Sequence, residues 1–73
     1  MKLPADLSGA KLRNALERIG FVFQRQKGSH MILRRDDPYS RVVVPDHKQL
    51  RVGTLRQILN EAGLSVEQLM RLL

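Results

Sequence analysis

Residues 21–35 read FVFQRQKGSHMILRR, and this stretch decides the fold. Its first part, residues 21–26, is an aromatic and β-branched run that predicts a strand. Lys27 and Gly28 predict a turn of the kind that joins antiparallel strands. A second strand is predicted over residues 29–35. Two strands joined by so short a turn indicate a β-hairpin.

The second strand has two chemically different faces. Period-two alternation places Met31, Leu33 and Arg35 on one face, and His30, Ile32 and Arg34 on the other. Residues 36–40, which include Pro38, predict a turn, and residues 41–44 predict a third strand that ends at Pro45. Three strands with tight connections form an antiparallel meander.

A helix is predicted before the meander. Ser8 is a suitable N-cap, and apolar residues at helical spacing extend the helix over residues 9–19 until Gly20 ends it. Lys11, Asn14 and Arg18 share one polar flank of this helix. This flank could face a phosphate backbone, or it could be an ordinary solvated surface.

Two helices are predicted after the loop over residues 46–53. Two residue pairs match the capping box that begins a helix: Thr54 with Gln57, and Ser65 with Gln68. Gly63 ends the first of these helices, and the second covers residues 66–72. The order α-β-β-β-α-α indicates an α+β domain in two layers, with helices on one face of a three-stranded antiparallel sheet. We expect a single domain over residues 1–73.

The charge balance indicates the kind of partner. Thirteen Lys and Arg oppose seven Asp and Glu, which gives a formal net charge of +6. Arg is the more frequent of the two cations and binds phosphates and bases in a bidentate manner. Such a domain is first a candidate nucleic-acid binder and second a binder of membrane surfaces or acidic partners. A basic protein without either role is the remaining alternative.

Several classes of protein are disfavoured by composition. The chain has no cysteine, which excludes disulfides and thiolate metal sites, and a count of only two histidines disfavours a structural zinc site. We therefore expect no metal and no cofactor. No apolar run is long enough for a membrane span, and residues 1–6 lack the apolar segment of a signal peptide. These observations favour a cytoplasmic location.

His30 is the residue best suited to catalysis. It follows Gly28 and Ser29, where backbone could approach a phosphate closely, and it shares the uncovered face with Arg34. RNA cleavage by the 2′-OH needs a proton acceptor, a proton donor and positive charge near the phosphorane, and histidine suits either proton role. A lone strand histidine is nevertheless more often structural than catalytic. His47, in a loop, could cap a turn or pair with Asp46.

Four motifs along the chain are informative together: Gly20-Phe21, the run from Arg25 to His30, the run from Val42 to His47, and the run from Gly53 to Leu59. These motifs closely resemble those of the HicA family of toxins. The resemblance covers nearly the whole chain in register. It implies a fold like that of double-stranded-RNA-binding domains and the activity of an mRNA interferase that a HicB antitoxin keeps silent. The family's catalytic histidine lies in a Gly-Ser-His motif, which corresponds to His30.

Together, residues and resemblance lead us to expect a metal-independent endoribonuclease with His30 as its catalytic residue. The candidates for RNA contacts are Arg25, Lys27, Gly28, Ser29 and Arg34, with Lys11 and Arg18 on the first helix. Only Tyr39 among the three aromatic residues lies outside the predicted core, so base stacking should be weak and sequence preference modest. The alternatives are a non-catalytic module that binds duplex RNA and a domain that binds an acidic protein.

Overall fold

A computed structural model describes residues 2–73. Its elements are α1 (Gly9–Glu17), β1 (Val22–Lys27), β2 (His30–Asp36), β3 (Tyr39–Pro45), α2 (Val52–Ala62) and α3 (Val66–Leu72). The strands form one antiparallel sheet in the order β1-β2-β3. The predicted α+β fold and its order of elements are thus confirmed.

The core lies between the helices and one face of the sheet. Met31 and Leu33 in β2 face the core with Val42 and Val44 in β3, and none of them exceeds 3% exposure. The helices contribute buried residues that include Leu12, Leu16, Leu55, Ile58 and Leu69. In the part of the chain that the structure describes, the buried helix residues all belong to this one core cluster, and none of them packs on the opposite face of the sheet. We call that opposite face the open face; it carries Arg25, Lys27, His30, Ile32, Arg34, Tyr39, Arg41 and Val43.

The first helix begins as predicted and ends earlier. The Ser8 hydroxyl accepts a hydrogen bond from the Lys11 N–H at 3.1 Å, so Ser8 is the N-cap. The helix stops at Glu17, because residues 18–20 tighten into turns whose N–H groups bond carbonyls three residues back. Gly20, at φ 98°, then turns the chain towards the sheet.

The turn between β2 and β3 is shorter than predicted. The expected turn over residues 36–40 is wrong in extent, since β2 runs to Asp36 and β3 begins at Tyr39. Ser40 is buried within β3, and its hydroxyl donates a hydrogen bond to the Glu61 carbonyl of α2 at 2.6 Å. This bond to a helix end explains why a polar residue is accommodated in the strand.

The start of α2 also differs from its prediction. The expected capping box at Thr54 is wrong, because the helix already begins at Val52 with Arg51 as its N-cap. Arg51 makes no side-chain capping bond. Leu50 just before it is buried, and its N–H donates to the Leu7 carbonyl at 2.8 Å. The anchored Leu50 sets where the chain turns into the helix, in place of side-chain capping.

The C-terminal elements match their prediction. Gly63, at φ 74°, ends α2 in the left-handed conformation that glycine adopts without strain. Ser65 and Gln68 form a reciprocal capping box, with hydrogen bonds of 2.8 and 3.0 Å. α3 spans the predicted residues. None of the helices in residues 2–73 has the length and apolarity needed to cross a membrane.

Candidate functional site

His30 and Lys27 lie side by side at one end of the sheet. His30 is the first residue of β2, and its antiparallel partner is Lys27, the last residue of β1. Partners in such a pair project from the same face, with Cβ atoms about 4.5–5.5 Å apart. Both side chains are exposed. An imidazole and an ammonium group therefore point together from the open face.

The turn that joins them consists of Gly28 and Ser29, so the predicted turn at Lys27 and Gly28 is wrong by one residue, because Lys27 still pairs within β1. Gly28 has φ 60°, which favours glycine at this position. The loop after β3 holds the turn in place, because the Asp46 N–H donates to the Ser29 carbonyl at 2.6 Å. The Gln26 amide donates to the Gly28 carbonyl at 3.1 Å and to the Asp46 carboxylate at 3.2 Å. These bonds fix the backbone directly before His30.

The N-terminus of α1 packs against the same end of the sheet. The Gly9 N–H donates to the His47 carbonyl at 2.9 Å. A Cβ atom at Gly9 would overlap the Pro45 carbonyl, and Pro45 is the partner of His30 in β3. His47 itself is exposed, and the ion pairs found within residues 2–73 do not include one between it and Asp46. Its contribution to this end of the sheet is therefore through the backbone.

A β-bulge in β1 determines where Arg25 points. Phe23 and Arg25 are two positions apart, yet their partners in β2 are consecutive, so Gln24 is an extra residue. Phe23 packs against the core, with the Arg13 guanidinium 4.0 Å from the centre of its ring. Without the bulge, Arg25 and Lys27 would project from that same covered face. The bulge brings both cations to the open face beside His30.

Two arginines face each other further along the sheet. Arg34 in β2 pairs directly with Arg41 in β3. The Arg34 Nε lies 2.9 Å from the Asp36 carboxylate, whereas Arg41 belongs to neither of the ion pairs found within residues 2–73. Like charges placed directly opposite each other destabilise a sheet. This arrangement is therefore suited to receiving an anion.

Sequence reasoning missed Arg41 and Tyr39 as functional candidates. Tyr39 is 67% exposed and lies on the open face as the partner of Asp36. The available signal was alternation: Arg41 and Val43 occupy one set of positions, while the buried valines of β3 occupy the other. Extending that strand back by two residues would have included Tyr39.

Lys11 and Arg18 do not join this site. Both lie on α1, in the helical layer, and with Asn14 they line a groove of about 430 Å³ beside the C-terminal residues Leu72 and Leu73. The Arg18 Nη1 donates to the Leu72 carbonyl at 3.0 Å, which places its cation at the end of α3. The predicted RNA-contact residues thus divide into an open-face set and a separate α1 set.

The open-face set has the chemistry of an anion-binding, proton-transferring surface. An exposed imidazole can take up or release a proton, and the neighbouring cations can stabilise negative charge. No hydrogen bond from the His30 side chain to another group occurs within residues 2–73. No group of three or more potential metal-binding side chains is found in the same range.

Comparison with known proteins identifies the family. A family model described as the HicA toxin of bacterial toxin-antitoxin matches residues 9–64. A search of the curated proteins finds none that matches. The family match begins with α1, includes the complete sheet with His30, and extends just past the end of α2. The chain therefore belongs to the HicA family of toxins from bacterial toxin–antitoxin systems.

Proposed function

We propose that this toxin is an mRNA interferase, an endoribonuclease that cleaves mRNA with His30 as its acid–base catalyst and without a metal ion. The observation that supports this most is the pairing of His30 with Lys27 on the open face. A proton-transferring group and a cation stand side by side on the sheet, and both side chains are exposed. The backbone bonds around Gly28 and Ser29 hold this end of the sheet in place.

In the proposed reaction, the 2′-oxygen of a ribose attacks the adjacent phosphorus atom. The 2′-OH loses its proton, a new P–O2′ bond forms, and the P–O5′ bond breaks as the 5′-oxygen gains a proton. The products are a 2′,3′-cyclic phosphate and a free 5′-OH. His30 serves as the base or the acid for one of these proton transfers, and Lys27 stabilises charge on the phosphoryl oxygens.

We also propose that a HicB-like antitoxin neutralises this activity. Membership in a toxin–antitoxin family requires a means of silencing the toxin, and a formal charge of +6 favours an acidic protein as that partner. RNA and antitoxin would then compete for the same cationic surface.

A second candidate function is a non-catalytic RNA-binding module of the double-stranded-RNA-binding type. It is favoured by one observation: within residues 2–73 no second acid–base group is hydrogen-bonded to His30. Incubation of purified protein with a single-stranded mRNA fragment separates the two candidates. Cleavage that requires His30 supports the interferase, whereas binding without cleavage supports the module.

A further inference from the structure

A shallow depression lies on the open face, between the middle of the sheet and the β2–β3 turn. Its volume is about 260 Å³, which is small beside the roughly 300–1,000 Å³ of pockets for drug-sized ligands. All three strands contribute to its lining: Gln24, Arg25, Ile32, Arg34, Tyr39 and Arg41. A depression of this volume can hold one small planar group and a charged group attached to it.

The lining combines an apolar surface with cations. Ile32 is only 8% exposed although it lies outside the main core cluster, so the long side chains around it provide its cover. Tyr39 presents an exposed ring at the same depression, and Gln24 supplies an amide that can both donate and accept hydrogen bonds. An apolar surface, an aromatic ring and a hydrogen-bonding amide are what a nucleobase requires.

The depression is close enough to His30 to hold another nucleotide of the same RNA. Arg41 pairs with Arg34, which is four residues from His30 along β2, and Tyr39 pairs with Asp36, which is six residues away. At 3.4 Å per residue these separations correspond to about 14 and 20 Å, a span that an extended single strand covers in a few nucleotides. Cations flank the path between them, because Lys27 pairs with His30 and Arg25 pairs with Ile32.

We propose that this depression binds one unpaired nucleotide of the RNA, a few nucleotides from the scissile bond, with its base stacked on Tyr39 and its phosphate held by Arg41. This inference rests on the proposed function and adds to it a subsite for one base of the RNA. Proteins that bind single strands combine a cationic groove with aromatic side chains on which bases stack. Bases within an RNA duplex are already stacked and cannot enter such a site.

The repulsion between Arg34 and Arg41 favours a nucleic acid over a protein as the ligand of this depression. Arg34 and Arg41 repel each other across β2 and β3, and Asp36 compensates only the former. A phosphate placed between the guanidinium groups would relieve this repulsion. Arg41 also offers an ionic contact and Tyr39 a stacking surface, and these match the phosphate and the base of one nucleotide.

The test measures RNA binding in a His30→Ala background, in which cleavage does not obscure affinity. Tyr39→Ala should weaken binding of a single-stranded RNA roughly 5- to 150-fold, whereas Tyr39→Phe should retain the affinity of the parent because the ring remains. Met70→Ala, which removes an exposed apolar side chain of α3, is the matched control. Circular dichroism verifies that each variant is folded.

An abasic scan locates the nucleotide. Each position of the RNA is replaced in turn by an abasic ribose, and affinity is compared between the parent and Tyr39→Ala. One abasic position should weaken binding to the parent but have no further effect on Tyr39→Ala, because the stacking partner is already absent. Tyr39 is the only tyrosine, and the chain has no tryptophan, so quenching of the intrinsic fluorescence by intact RNA reports on this ring alone.

The outcomes distinguish this inference from the proposed function. Binding by the parent that Tyr39→Ala and Arg41→Ala leave unchanged overturns the nucleotide site while RNA recognition stands. Unchanged RNA binding with impaired antitoxin binding assigns the surface to the protein partner and equally overturns it. A parent that binds no RNA overturns both the proposed function and this inference.

Discussion

Lys27 and His30 are antiparallel partners that close the β1–β2 hairpin, so their side chains project together from the open face. The pairing results from a two-residue turn whose conformation depends on Gly28 and whose position depends on bonds to Asp46. An imidazole thus stands next to an ammonium group at the hairpin end, which is the arrangement that the proposed cleavage of a phosphodiester needs.

Substitution of His30 by alanine should abolish RNA cleavage and toxicity while the fold remains intact. Loss of a general acid or base typically costs about 10²- to 10⁴-fold in rate, and the exposed imidazole leaves no core cavity behind. Cleavage of a labelled RNA and growth after induction are the two measurements. His47→Ala is the matched control, since only the backbone of His47 is hydrogen-bonded to Gly9. Equal activity of His30→Ala and the wild type would refute the assignment.

Cleavage should persist in EDTA. The proposed mechanism assigns proton transfer to His30 and stabilisation of the phosphoryl charge to Lys27, so it uses no metal ion. The products should carry 2′,3′-cyclic phosphate ends, which mass spectrometry identifies. Activity that disappears in chelator and returns only with magnesium would contradict this mechanism.

Removal of Lys27 or Arg34 should reduce the salt dependence of RNA binding. A cation that neutralises a phosphate releases counterions, so its removal lowers the slope of log affinity against log salt by about one. Lys11→Ala provides the comparison, because Lys11 lies on α1 beside the groove and not on the open face. If the slope falls only for Lys11→Ala, RNA binds the α1 flank and the open face has another role.

Regular alternation was sufficient to predict the face on which His30 and Arg34 lie. β2 is the central strand, and its buried positions alternate with exposed ones apart from Ile32. The direction of Arg25 could not be predicted, because the bulge at Gln24 inverts the alternation of β1 and no glycine marks its position. Local patterns describe a strand well until an extra residue is inserted.

Capping patterns were informative only where the side chain makes the bond. Ser8 and Ser65 were correctly predicted as N-caps, since each hydroxyl accepts from a helical N–H. Thr54 had the same pattern but was wrong, because the buried Leu50 and its bond to Leu7 start the helix earlier. Such a contact joins distant parts of the chain and is not visible in a local pattern.

Gly9→Ala should destabilise the protein and impair cleavage together. The added methyl group would overlap the Pro45 carbonyl, and forcing it into this contact costs about 1–3 kcal/mol of unfolding free energy. Since Pro45 pairs with His30 in the sheet, a displacement of Pro45 by the added methyl group would also displace His30. Gly53→Ala is the matched control, because its Cβ would meet open space in α2, and it should stabilise by about 0.5–1 kcal/mol. Urea unfolding measures the free energy of unfolding of both variants. Equal changes in this free energy for Gly9→Ala and Gly53→Ala would contradict the close approach of Gly9 to the sheet.

The antitoxin should neutralise the toxin by covering the open face. This face contains Lys27, the strand partner of His30, and Arg25 beside it, and an acidic partner placed there would exclude RNA directly. Binding of a partner to the folded toxin should also raise its stability. Inhibition from a remote site would require a second conformation, and the helices pack on the other side of the sheet in one continuous core.

Hydrogen exchange on the toxin, alone and with its antitoxin, tests this arrangement. The backbone N–H groups of β2 are already bonded within the sheet, so added protection should be clearest at the Gly28–Ser29 turn and along the outer strands β1 and β3. Protection confined to α1 and α3, with cleavage still inhibited, would show that the antitoxin acts from the helical layer. A variant with glutamate at an open-face cation, Arg41→Glu, should weaken the complex by charge repulsion, whereas the same change on α3, Arg71→Glu, should leave it intact.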